Sequence, residues 1–235
     1  MARLPLTYFG QVIRGDPSPE KDIMLGKRYF INDAFYKPGG PIFLMIEGAL
    51  TADIYHLSVS NTWVTYAERL GALCLLLEHR FYGLSQPTGV FFFFFFCFNC
   101  RDLSTASLRY LSSRQALADI VNFQTEAAKK TGLTTNKWVV FGCSYGGSLA
   151  VWSRIKHPDL FAAAVGSSAP MLAKANFYEY FEGVQRSLGT HSSECLKAVK
   201  ETFDKVVKML KHQKYYSKLK SDFRYISVNS CESDA

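Results

Sequence analysis

The sequence predicts a three-layer α/β fold: a mostly parallel sheet flanked by helices. Three observations lead there. Four apolar runs of strand length recur along the first 170 residues. They are continuous rather than alternating, which is the habit of strands buried on both faces. Helical patterns lie between them, and strands alternating with helices build a parallel sheet covered on both sides. The composition agrees. Of 235 residues, 48% are hydrophobic and 20% charged, which excludes disorder as the main state.

The first forty residues read as polar and turn-rich, punctuated by Pro17, Pro19, Pro38, Gly39, Gly40 and Pro41. The expected strands are 41–47 (PIFLMIE), 71–78 (GALCLLLE), 137–142 (KWVVFG) and 161–166 (FAAAVG). Between them, 113–130 carries apolar residues at 116, 117, 120, 121 and 123, one face of a helix. A second helix is expected over 144–157, stopped by Pro158. Past Pro170 the strand signals cease, and 192–211 reads as an amphipathic helix with apolar residues at 195, 196, 199, 203, 206, 207 and 210. The expected organisation is therefore residues 1–173 as the sheet domain and 174–235 as the start of a helical cap.

The run 90–98 (VFFFFFFCF) breaks every pattern, because the phenylalanines of Phe91–Phe96 cannot all face one core in a strand or a helix. Residues 90–101 are read as an anomalous insertion, resembling a translated pyrimidine-rich tract. The net charge is +7, and many basic residues lie between Lys197 and Arg224. No nucleic-acid motif accompanies them, so they read as a solvated helical face. No apolar run reaches the roughly 20 residues of a membrane span, and no secretory signal is visible. Cys97 and Cys100 form a lone CxxC without a second pair, so no zinc site is expected. Cys74 and Cys143 read as buried thiols, while Cys195 and Cys231 could pair in an oxidising compartment.

The chemistry concentrates at 142–146, Gly-Cys-Ser-Tyr-Gly. A buried strand leads into this G-x-S-x-G and a small-residue helix leads out, which is the context of a nucleophile elbow. Such a turn lifts the Ser144 hydroxyl to a helix N-terminus, where backbone amides and the helix dipole favour an anion. The bland alternative is a glycine-rich turn without chemistry. Glu47-Gly48-Ala49 follows the first apolar strand. An early loop of this kind supplies one oxyanion amide and the residue after the nucleophile the other, so Gly48 and Tyr145 are the candidates through backbone N–H.

Four stretches carry a resemblance: 39–50, 70–87 (with EHRFYG), 102–123 and 138–170 (with GCSYGGSLAVW). On these the chain resembles the serine peptidase family of lysosomal prolyl carboxypeptidase, dipeptidyl peptidase II and thymus-specific serine protease, nearest to the thymus-specific type. The resemblance implies an α/β-hydrolase fold with a helical cap. It also implies serine exopeptidase activity on peptide substrates, often beside proline, in lysosomal, endosomal or extracellular compartments. It implies no metal or organic cofactor, and it leaves room for a homodimer. Two departures stand out. Met45-Ile46 precede Glu47-Gly48 where the family has two glycines before a Glu-Gly pair, and Cys143 replaces a glycine, where a Cβ could crowd the turn.

A serine nucleophile needs a base and an acid that follow it in chain order in this fold. None of the remaining histidines suits. His157 lies on the same expected helix about 20 Å from Ser144 at 1.5 Å per residue. His56 and His79 precede the serine, and His191 and His212 flank the cap helix. Asp159, Asp204 and Asp222 lack a strand-end context. The chain therefore reads as an N-terminal fragment holding the nucleophile and lacking the triad Asp and His. The alternative reading is a catalytically inactive truncated homologue, at most a binding module.

Overall fold

A computed structural model describes residues 11–14, 24–87 and 104–224. The phenylalanine run, Cys97, Cys100 and Cys231 lie outside the described residues. The chain divides into two compact units, Met1–Leu172 and Ala173–Ala235.

The first unit begins with β1 (Gln11–Arg14) paired antiparallel with β2 (Met24–Lys27). A five-stranded sheet follows, from β3 (Tyr29–Asn32), β4 (Ile42–Ile46), β5 (Leu73–Leu77), β6 (Trp138–Cys143) and β7 (Ala163–Ser167). Its order is β3-β5-β4-β6-β7, with β3 antiparallel to β5 and the other pairs parallel. The helices of this unit are α1 (Thr62–Leu70), α2 (Thr105–Leu108), α3 (Ser113–Thr131) and α4 (Tyr145–Lys156). The sheet flanked by helices is the α/β-hydrolase arrangement the sequence predicts.

Strand periodicity divides the core into two layers. Ile42, Leu44 and Ile46 of β4, with Leu73, Leu75 and Leu77 of β5, pack against Ala116, Leu117, Ile120 and Phe123 of α3 and Leu149 and Ala150 of α4. The intervening Phe43, Cys74, Leu76 and Phe141 pack against Trp63, Val64 and Ala67 of α1. Helix ends follow local chemistry. Ser112 Oγ accepts from Gln115 N–H at the start of α3, and Gly132 ends it at φ 71°.

Three expectations change. The first forty residues hold three strands as well as turns, each only four residues long and too short to leave a periodic signal. β7 is not buried on both faces. Its residues alternate between exposed and half-buried, because among the described residues it has a strand neighbour on one side only. Helices α1 and α2 also escaped the sequence reading.

The turn after β5 is built on buried charge. Glu78 is fully buried. Its Oε1 accepts from Arg28 Nε (2.9 Å) and Nη2 (2.5 Å), and its Oε2 from Ser85 N–H and Oγ–H (2.8 Å each). Gly83 is obligatory, since a Cβ there would lie 2.0 Å from Glu78 Oε1. Arg80, also buried, forks onto Asp119 of α3 at 2.8 and 2.7 Å and donates further to Tyr110 O and Gln115 Oε1. Bidentate pairing, with further donors directed at acceptors, is what offsets the desolvation of such a pair.

The second unit consists of α5 (Tyr178–His191), α6 (Ser193–Leu210), a single turn Gln213–Tyr215 and α7 (Tyr216–Asp222). Ser192 ends α5 and caps α6, its Oγ accepting from Cys195 N–H. The apolar stripe expected on 192–211 is present, but within this unit Phe203, Val207 and Leu210 remain exposed.

Removing one partner of the Arg80–Asp119 pair strands a buried charge. Asp119→Ala should destabilise the first unit by about 3–5 kcal/mol, read as a shift in the urea unfolding midpoint. A shift under about 1 kcal/mol would show the pair to be no more than a surface-type ion pair.

Candidate active site

β6 delivers the chain to Ser144 and α4 carries it away. Ser144 adopts φ 53° and ψ −127°, a strained conformation for a residue with a side chain. The strain is held from both sides. Ser144 N–H donates to Ser167 O of β7 (2.9 Å), and Ser144 O accepts from Ser148 N–H inside α4 (3.1 Å). The side chain is exposed at the top of the turn.

Glycines make the turn possible because backbones pass each other without room for a Cβ. One on Gly142 would lie 2.1 Å from Gly146 O, and one on Gly146 would lie 2.4 Å from Ile46 O. Gly48 belongs to the same contact: its Cβ would meet Gly146 N at 2.8 Å and Tyr145 Cβ at 3.5 Å. The structure thus brings Gly48, Ser144 and Tyr145 together, and Tyr145 opens α4, where first-turn N–H groups have no intrahelical acceptor.

The expectation for Cys143 is corrected. It is exposed, not buried. Cys74 is buried, and burial pushes its thiol up to about 12.

Two histidines contact residues beside Ser144: His56 in the 3-10 turn Ile54–Leu57 and His79 in the turn after β5. His56 Nδ1 donates to Glu47 Oε1 at 2.5 Å, next to Gly48. His79 is buried, with Nδ1 2.6 Å from Arg80 O and Nε2 3.2 Å from Tyr145 Oη. A carbonyl only accepts, so Nδ1 carries the proton; in the tautomer protonated there alone, Nε2 accepts the Tyr145 hydroxyl. His157 ends α4, while His191 ends α5 and His212 follows α6 in the second unit. Cys195 is exposed. Among the described residues no cluster of three or more His, Cys, Asp or Glu could hold a metal ion, and no helix is long and apolar enough to cross a membrane.

Thr51, Ala52 and Tyr82 were not singled out from sequence, yet they tie the Gly48 loop to the EHRFYG turn. Thr51 Oγ1 donates to Tyr82 O (2.7 Å), and Ala52 N–H to Glu78 Oε1 (3.3 Å). The available signal was a charged string, EHR, directly after an apolar strand.

Two measurements follow from this geometry. Gly146→Ala forces a methyl against Ile46 O and should cost about 1–3 kcal/mol or more in unfolding experiments; a neutral substitution would mean the two backbones can part freely. Tyr145's phenol is raised from 10.0 to about 12, chiefly by burial, secondarily by Tyr82, and against the lowering effect of Arg80. A raised phenol favours the protonated folded state. Its contribution is fully present below the unfolded value and is lost as pH rises through the folded one. The difference between wild-type and Tyr145→Phe tyrosinate absorbance should therefore rise near pH 12; a midpoint near 10 would contradict the burial.

A model of the family described as serine carboxypeptidase S28 matches residues 18–234. A Caenorhabditis elegans protein named as a serine protease is 41% identical over 199 residues, 84% of this chain and 37% of its own length. The human thymus-specific serine protease is 39% identical over 197 residues, 79% of this chain and 35% of its own. An Arthroderma benhamiae protein named as an extracellular serine carboxypeptidase is 28% identical over 192 residues, 78% of this chain and 25% of its own. The chain spans about a third of the length of the first two relatives. The match over nearly the whole chain, together with the elbow at Ser144, places the sequence: it belongs to the serine carboxypeptidase S28 family of serine peptidases.

Proposed function

We propose that this protein is a serine-type exopeptidase that cleaves peptides through an acyl-enzyme on Ser144. The strained, exposed Ser144 at the start of α4 is the observation that carries the reading. In the proposed reaction Ser144 Oγ attacks the scissile carbonyl while a general base takes its proton. Tyr145 N–H and Gly48 N–H stabilise the tetrahedral oxyanion, whose collapse breaks the C–N bond and expels the amine with the proton held by the base; water then adds to the acyl-enzyme, frees the acid and restores the Ser144 hydroxyl. The base and its orienting acid are assigned to residues other than those described. A terminal dipeptide or residue beside proline is the proposed substrate, with no metal or organic cofactor. An extracellular or lysosomal setting is part of the proposal, the extracellular one in line with the relative named as extracellular. We assign no nucleic-acid partner, and association as a homodimer belongs to the same proposal.

One observation favours a second reading, a non-catalytic homologue that binds a partner. β7 lies at the edge of the described sheet and leaves Val165 47% exposed.

A single comparison separates the two. The protein is produced from its native transcript and assayed on proline-containing peptides beside Ser144→Ala. The peptidase reading expects kcat to fall by about 10⁴-fold or more. Equal activity in both proteins would refute the assignment of Ser144, and no activity in either would favour the binding reading.

A further inference from the structure

We infer that residues 78–83, the Glu-His-Arg-Phe-Tyr-Gly turn after β5, form a brace that fixes the spacing of the Gly48 and Tyr145 amides. Thr51 and His79 act in it as positioning residues. The inference deepens the function proposed above and rests on it for its kinetic consequence.

The brace grips both amide-bearing segments. On one side the loop that begins at Gly48 is fastened at two successive residues. Thr51 Oγ1 donates to Tyr82 O, and Ala52 is held at both backbone groups. Its N–H donates to Glu78 Oε1, and its carbonyl accepts from Arg28 Nη2 (2.7 Å), which also bonds Glu78. On the other side His79 holds Tyr145. The phenol donates to Nε2, and the two rings lie 5.3 Å apart, with Tyr82 5.0 Å from His79. The buried, neutral phenol remains a donor at any physiological pH.

The brace is itself anchored. Arg80 is forked onto Asp119 of α3, and His79 Nδ1–H donates to Arg80 O while Nε2 faces Tyr145 Oη. Phe81, buried at φ 69°, turns the segment so that its N–H meets Ser85 O (2.8 Å). Oxyanion donors work only within about 2.7–3.1 Å of the developing charge. A single six-residue run fastened to both donor segments fixes their separation without touching substrate, and this explains why the run is so heavily buried.

The test uses the protein made from its native transcript and the variants Tyr145→Phe, His79→Ala, His79→Gln, Thr51→Val and the double variant His79→Ala/Tyr145→Phe. Two readouts are taken: kcat and KM on a peptide substrate, and ¹⁵N order parameters of the Gly48 and Tyr145 amides. Tyr145→Phe and His79→Ala should each lower kcat about tenfold with KM nearly unchanged, less than the loss of a donor outright. The double variant should lose no more than either single one. His79→Gln keeps an acceptor for the phenol and a donor for Arg80 O, and should recover most of the rate. The Tyr145 amide order parameter should drop in the same variants, and that of Gly48 in Thr51→Val. Tyr145→Phe keeps the ring and so the fold. An unchanged Tyr145 amide in folded Tyr145→Phe overturns the brace, as do additive losses in the double variant. If Ser144→Ala proves fully active, the peptidase reading fails by itself; the order parameters then still sustain or overturn the brace.

Discussion

The close passage of two backbones, the end of β4 against the start of α4, is the constraint on which the rest of this structure depends. Gly48, Gly142 and Gly146 meet there at distances that no Cβ could survive. Because they meet, the turn between β6 and α4 can be sharp enough to hold Ser144 at positive φ. The parallel pairing of β4 with β6 sets the depth of the contact, since it aligns Ile46 with Gly142. The two core layers, built from alternate residues of the same strands, then hold the sheet against the helices. Strain at one residue persists because so much ordinary packing surrounds it.

Buried charge is placed with the same economy. Glu78 and Asp119 are each saturated by donors, Arg28 with Ser85 in one case and Arg80 in the other. Neither pair is needed to fill the core, and an apolar substitute could pack as well. What the ion pairs add is direction. A hydrogen-bonded carboxylate fixes the orientation of the chain segments it joins, and here those are the turn after β5 with α3 in one case and with the residue between β2 and β3 in the other.

Much of this was legible in the sequence. Continuous apolar runs gave four strands of the sheet, and the G-x-S-x-G between strand and helix gave the elbow. The parts that were not legible share a physical cause. β1, β2 and β3 are four-residue strands, too short for a local period to announce them, and β3 finds its partner some 40 residues on in β5. Cys143 looked buried because its neighbours in sequence are apolar, but it is the last residue of β6 and lies exposed where the strand ends. β7 looked like an interior strand from its composition, whereas burial depends on what lies beside it. The brace was invisible because its ties run through backbone carbonyls and a histidine tautomer, which no residue pattern encodes.

The exposure of Cys143 has a practical side. It stands one residue from Ser144, exposed where β6 ends, while Cys74 is sealed in the core. A fluorophore or spin label attached at 143 would report from the residue next to the elbow's serine. With the other cysteines of the sequence replaced, the molecule then carries a built-in attachment point one residue from the strained serine.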